Sequence, residues 1–143
     1  MKKIIIALLA TLPLLASAQS TGKWITHTRF TLSKLQNVVD TKDKVYGLVN
    51  NSLYCLNKSD RKLRVIDNQN ALSGSLISNI YYNPDKQYLV ITYDDSNIDI
   101  LHADGKVTNI PNIKDAVMTQ QRTINDVTLS GAKILVATQL GFV

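Results

Sequence analysis

The chain has 143 residues, 45% of them hydrophobic, a mean hydropathy of −0.02 and a formal net charge of +5. That is enough apolar content for one globular domain, and too much for a collagen, a mucin-like stalk or a disordered acidic tail. All 11 acids are Asp, with no Glu and twelve Asn, so a good helix former has been given up for turn formers and a helical bundle is disfavoured.

Residues 1–18 read as an export signal outside the fold. Lys2 and Lys3 form a positive start, Ile4 to Leu15 an apolar run broken by Thr11 and Pro13, and Ala16-Ser17-Ala18 a small-x-small cleavage site. The run falls short of the roughly 20 residues a membrane-spanning helix needs. No Cys stands at the cleavage site, so no lipid anchor is expected there. Cleavage before Gln19 leaves 125 residues and removes two lysines, lowering the formal charge to +3. That charge is weak ground for nucleic-acid binding, and export makes nucleic acid a poor partner. The expected location is outside the cytoplasm.

The mature chain reads as short strands split by turns. Lys44–Val49 and Ser52–Leu56 flank Asn50-Asn51, a hairpin signal because Asn tolerates positive φ. Cys55 lies in the second of these strands and is expected to be a small buried hydrophobe; as a lone cysteine it excludes an intrachain disulfide and a multi-cysteine zinc site. Lys62–Asp67 follows. Ile77–Tyr82 is closed by Asn83-Pro84-Asp85-Lys86, with Pro pre-setting the turn. Tyr88–Tyr93 is aromatic, β-branched or Leu throughout, which predicts a strand covered on both faces. Asn97–Leu101 and Lys106–Ile110 flank the Asp104-Gly105 turn. Asn112–Gln120 is the one stretch with room for a short helix and is read as a connector. Thr123–Leu129 and Lys133–Thr138, joined at Ser130-Gly131, close the series, the latter again of buried type.

These strands repeat. Tyr46–Val49, Leu89–Thr92 and Leu135–Thr138 take the same place, with 43 positions between Val49 and Thr92 and 46 between Thr92 and Thr138. Ser78–Tyr81 corresponds in turn to Asn125–Thr128. A period of roughly 45 residues with about four strands marks β-propeller blades. One four-stranded sheet has two faces to cover, and blades around an axis cover each other. A β-sandwich with coincidental spacing is the alternative. The fold class is therefore all-β, a partial β-propeller of about two to three four-stranded blades over residues 19–143. Since propellers close with about four to eight blades, the expectation is the front of a longer protein; an open array completed by a partner chain is the other reading.

Several stretches resemble one family. They are Ile77–Asn83, Tyr88–Tyr93, Asn97–Leu101 and Lys106–Ile113, then Ile124–Val127 and Ile134–Val143. Together they are similar to blades of the PorZ-like N-terminal β-propeller of the Bacteroidota type IX secretion (Por) system. Trp24 matches the aromatic that opens such proteins, and Asn70-Ala71-Leu72-Ser73 a polar-Gly-Leu-Ser turn, with Ala71 where the family usually has Gly. The resemblance covers roughly Trp24 to Val143. It implies a non-catalytic role at the outer membrane, in a surface complex that processes cargo proteins and attaches them to anionic lipopolysaccharide. Partners would be other secretion-complex proteins or that lipopolysaccharide. A related resemblance is to the periplasmic sensor propellers of hybrid two-component regulators, which share the Leu-Ser turn and the strand ending in Ala-Thr.

Chemistry is sparse. Asp95, Asn97 and Asp99 have the spacing that begins a calcium loop, but Ile100 stands where Gly is needed and Lys106 where Glu is needed. Asp94 and Asp95 serve a turn, and Asp99 is expected to point out of its strand. Ser73-Gly74-Ser75 is no nucleophile elbow, and His27 and His102 are the only imidazole bases. His102 is expected at the surface. A propeller enzyme acting on carbohydrate is the third reading, since fold does not fix function. No catalytic residue, cofactor or metal is assigned. Lys58, Arg61, Lys62 and Arg64 form a basic cluster. It reads first as a charged outer strand that discourages edge pairing, and second as a contact for an anionic ligand.

Overall fold

The computed structural model describes residues 34–117, 119 and 122–143; the export-signal residues and Trp24 lie outside them. The first sheet is the meander β1 (Leu35–Asp40), β2 (Lys44–Val49), β3 (Ser52–Asn57) and β4 (Leu63–Ile66). The second is β5 (Ile77–Asn83), β6 (Tyr88–Tyr93), β7 (Ile98–His102) and β8 (Val107–Ile110). The third is β9 (Ile124–Ser130), β10 (Lys133–Thr138) and β11 (Gly141–Phe142). A single helical turn, α1 (Asn112–Asp115), occupies the connector. All pairings are antiparallel and each sheet is contiguous in sequence. This is a partial propeller, two four-stranded blades and a three-stranded one, and not a sandwich.

The repeat is visible in the backbone. The first strand of every sheet carries one extra residue opposite the end of the second: Gln36 in β1, Ser78 in β5 and Asn125 in β9. Such bulges bend and twist a strand. Asn37, Asn79 and Asp126 stand next in line. The Asn79 and Asp126 side-chain oxygens each accept the following backbone N–H, at 2.9 and 2.8 Å. Asn37 reaches into the next blade, its Nδ2 donating to Asn79 Oδ1 and to the Ile80 carbonyl, both at 2.9 Å. The hairpin predicted at Asn50-Asn51 forms, with φ of 48° and 60°.

Two apolar clusters separate the blades. Leu48, Leu53, Leu72, Ile80, Leu89 and Ile91 belong to the one between the first and second sheets. Tyr88, Val90, Ile98, Val127 and Val136 form the one between the second and third. Residues of β6 alternate between the two, and all six are buried. The expected two-sided coverage of Tyr88–Tyr93 is therefore present. Strand β10 differs: Val136 and Thr138 are buried, but Leu135 on the opposite face is 43% exposed. Sequence reading also passed over β1, whose LQNVVD is mostly exposed and has no apolar run to announce it.

Candidate functional site

Register decides which cations meet. Lys44 pairs with Asn57, and Tyr46 with Cys55. Asn57 donates its N–H to the Lys62 carbonyl, and Cys55 lies opposite Arg64. Side chains two residues apart share a face of a sheet. The face of the first sheet turned toward the second thus runs from an apolar row, Leu48 and Leu53 with Ile66, through Tyr46–Cys55–Arg64, to Lys44–Asn57–Lys62. Strand β4 is inverted relative to an ordinary outer strand. Its cations face the neighbouring blade, and its apolar Leu63 and Val65 point away, 49% and 43% exposed.

The two polar rows line a cleft of about 430 Å³, walled on the other side by Leu101 and Gly105 of the second sheet. Asn70 and Ala71 close one end. Lys44, Lys62 and Arg64 contribute its charges, and among the residues lining it none is acidic. Lys44 Nζ also donates to the Ala103 carbonyl across the blades at 3.3 Å, and Lys62 contacts Asp60 at 3.4 Å. Cys55 lies on the floor. Burial pushes its thiol up, against the pull of Lys44, the Tyr46 hydroxyl and Arg64. Burial, with the Cys55 thiol beside it, pushes the Tyr46 hydroxyl up to about 12. The floor is therefore neutral and the charge of the cleft is wholly cationic, suited to a phosphate, sulfate or carboxylate group.

The four cations singled out from sequence divide. Lys62 and Arg64 enter the cleft. Lys58 is held by Asp40 at 2.6 Å and by the Thr41 carbonyl, also at 2.6 Å. Arg61 sits at the turn with φ 53° and lines no part of the cleft. Lys44, from a distant stretch, joins the pair and was missed. The two-residue Asn50-Asn51 turn carried the signal, since counting outward from it sets Lys44 opposite Asn57.

Asp99 corrects a second expectation. It does not point out to solvent; it is fully buried on the face of the second sheet turned toward the first. Tyr93 Oη donates to its Oδ2 at 2.6 Å and the Ser73 N–H to the same oxygen at 2.7 Å, while Asn109 Nδ2 donates to Oδ1 at 2.8 Å. Both faces of the second sheet are covered, so an outward direction does not exist for this strand. The network pins the linker between the first two blades. Leu72 is buried in the core, and Asn70, Ala71 and Leu72 all donate backbone N–H groups to the Asp67 carbonyl. Ala71 forms this turn at negative φ, since it is not among the positive-φ residues. Gly is therefore not required there. Gly74 is the demanding position, because a Cβ would lie 2.7 Å from the Tyr93 ring.

Among the described residues no three His, Cys or Asp side chains are grouped to hold a metal ion. Asp95 is engaged by Lys114 at 2.8 Å. His102 is half-buried, its Nε2 3.1 Å from Thr108 Oγ1 and its ring edge-on to Tyr88.

Residues 45–143 match the family described as the type IX secretion, PorZ, N-terminal beta-propeller domain. Among solved structures the chain is similar to PorZ of Porphyromonas gingivalis, with 32% identity and a TM-score of 0.68. That protein is described as an essential bacterial surface component of the type IX secretion system. The likeness covers 75% of this chain and 14% of that one, so this chain spans a small part of its relative's length. No curated protein matched the chain.

Proposed function

The chain belongs to the PorZ N-terminal β-propeller family, and from that premise we propose that it serves as a non-catalytic, exported component of the type IX secretion and surface-attachment machinery. Residues 1–18 direct export, and residues 19–143 begin a propeller whose further blades cover the outward faces of the first and third sheets. Exposed Val38, Val65 and Leu63 on one of those faces, and Leu135 and Phe142 on the other, support that reading. The domain acts by contact, with other secretion proteins or with anionic lipopolysaccharide. The observation that carries this is the cleft of Lys44, Lys62 and Arg64, cations aimed between blades where a propeller ordinarily buries apolar side chains.

The test replaces Lys44, Lys62 and Arg64 together by Ala in the full-length protein, in the source bacterium. Loss of cargo proteins from the cell surface, at unchanged level and protease resistance of the variant, supports the proposal. Normal surface attachment of cargo sinks the role of the cleft. An antibody against the domain tests location: a band in the inner membrane, protected from external protease, would favour the sensor-propeller reading instead.

A further inference from the structure

Charge is segregated along the strands of this domain. One end carries the β1–β2, β3–β4, β5–β6, β7–β8 and β9–β10 turns. Counting each strand's nearer half with its turn, Lys and Arg outnumber Asp there by nine to five, whereas at the opposite end Asp outnumbers them by six to three. Lys42, Lys86 and Lys106 stand exposed on three different turns of the cationic end, outside the cleft that holds Lys44, Lys62 and Arg64. Local pairing leaves this excess in place: the ion pairs at this end, Lys58–Asp40 and Lys62–Asp60, use neither the three turn lysines nor Arg64.

The surface also lacks what a protein partner uses. Interfaces between proteins are anchored by buried aromatic or apolar side chains at their centre. The five turns of this end carry no large exposed apolar side chain; Val38, Leu63, Val65 and Leu135 lie on the outward faces of the first and third sheets, and Leu76, Val117, Leu140 and Phe142 belong to the opposite end. A loop-built, cationic, anchor-free end matches a planar layer of negative charge, where each Lys or Arg adds an increment of attraction. We infer that this end of the domain docks on an anionic lipid surface, its lysines and arginines meeting headgroup phosphates. The inference shares with the proposed function the reading that the cleft takes an anionic group, but it extends to turns the cleft does not include.

The experiment is flotation of the full-length protein with vesicles of phosphatidylcholine, with and without phosphatidylglycerol. Binding is expected to the anionic vesicles alone and to fall as salt is raised. Lys86→Glu with Lys106→Glu should weaken it by at least about fivefold for each cation removed. Asp94→Asn at the opposite end should leave it unchanged. Equal binding to neutral vesicles, or no loss in the Lys86/Lys106 variant, overturns the inference. Inorganic phosphate separates the sources of the ligand. If it displaces the protein completely, and Lys62→Ala with Arg64→Ala abolishes binding while Lys86→Glu with Lys106→Glu does not, the anion belongs to the cleft alone. Docking of the end is then refuted while the proposed function survives.

Discussion

Strands β6 and β10 are second strands of neighbouring blades with similar apolar content, YLVITY against KILVAT, yet all six residues of one are buried and only two of the other. The difference lies in what faces them. Blade two has a blade on each side, and blade three shows one face to solvent among the described residues. Hydrophobic content states what a strand can bury, and the neighbour decides how much of it is buried. The same contrast separates the faces of blade one. Toward blade two it presents Tyr46, Leu48 and Leu53, all buried; on the other face Val38 and Val65 remain half exposed.

The widest difference should appear in truncation of the two strands. Ile91→Ala is expected to cost about 3–4 kcal/mol, because its side chain is fully enclosed and leaves a cavity. Leu135→Ala should cost under about 1 kcal/mol by area alone. Denaturant titration of both variants checks this, and equal costs would mean that the open face of blade three is covered in solution. Next comes Gly74→Ala, which drives a methyl group into the Tyr93 ring and should destabilise by about 1–3 kcal/mol. Gly47→Ala, on the open face of blade one with no atom near its added Cβ, should stay within about 0.5 kcal/mol of the parent.

Alkaline titration sharpens the contrast between the covered and the open faces. Tyr46, on the covered face, has its hydroxyl pushed from about 10 up to about 12, and Cys55 beside it is also raised. The folded state therefore holds protons that the unfolded chain has released. The resulting stability is fully present below about pH 9, where the unfolded cysteine begins to release its proton, and is lost as pH rises from there through about 12. Tyr46→Phe should flatten that decline, read as the melting temperature against pH. The smallest effect belongs to Asp95. Slight burial acts to raise it, but the Lys114 ammonium and nearby backbone N–H groups hold it below the ordinary carboxylate value. The contribution of that pair is present above about pH 4 and disappears as pH falls through the lower folded value. A carboxyl NMR titration should place the Asp95 midpoint lower in the parent than in a Lys114→Ala variant.

The sequence carried the blades because strands and turns write themselves in local patterns. YLVITY, the Asn-Asn turn and the spacing of Val49, Thr92 and Thr138 each needed a few adjacent residues. Strand β1 escaped because its partner in the sheet, and not its own side chains, makes it a strand. Half of the basic cluster was legible: Lys62 and Arg64 share a face at spacing two, whereas Lys58 and Arg61 belong to the turn before them. Lys44 was hidden because its place depends on the register of two hairpins taken together. Asp99 was misread because alternation separates two faces without telling which of them meets water, and here neither does.

The link from Asn37 to Asn79 joins two blades at their first strands, while the cleft opens between their outer ones. Bound at the spine, the pair is built like two pages of a book. Four strands at about 4.8 Å spacing set β4 roughly 14 Å from that spine. A swing of about 5° there moves the outer edge by about 1 Å on the same geometry, comparable to the tolerance of a hydrogen bond. The width of the proposed anion cleft therefore depends on two amide side chains that do not line it.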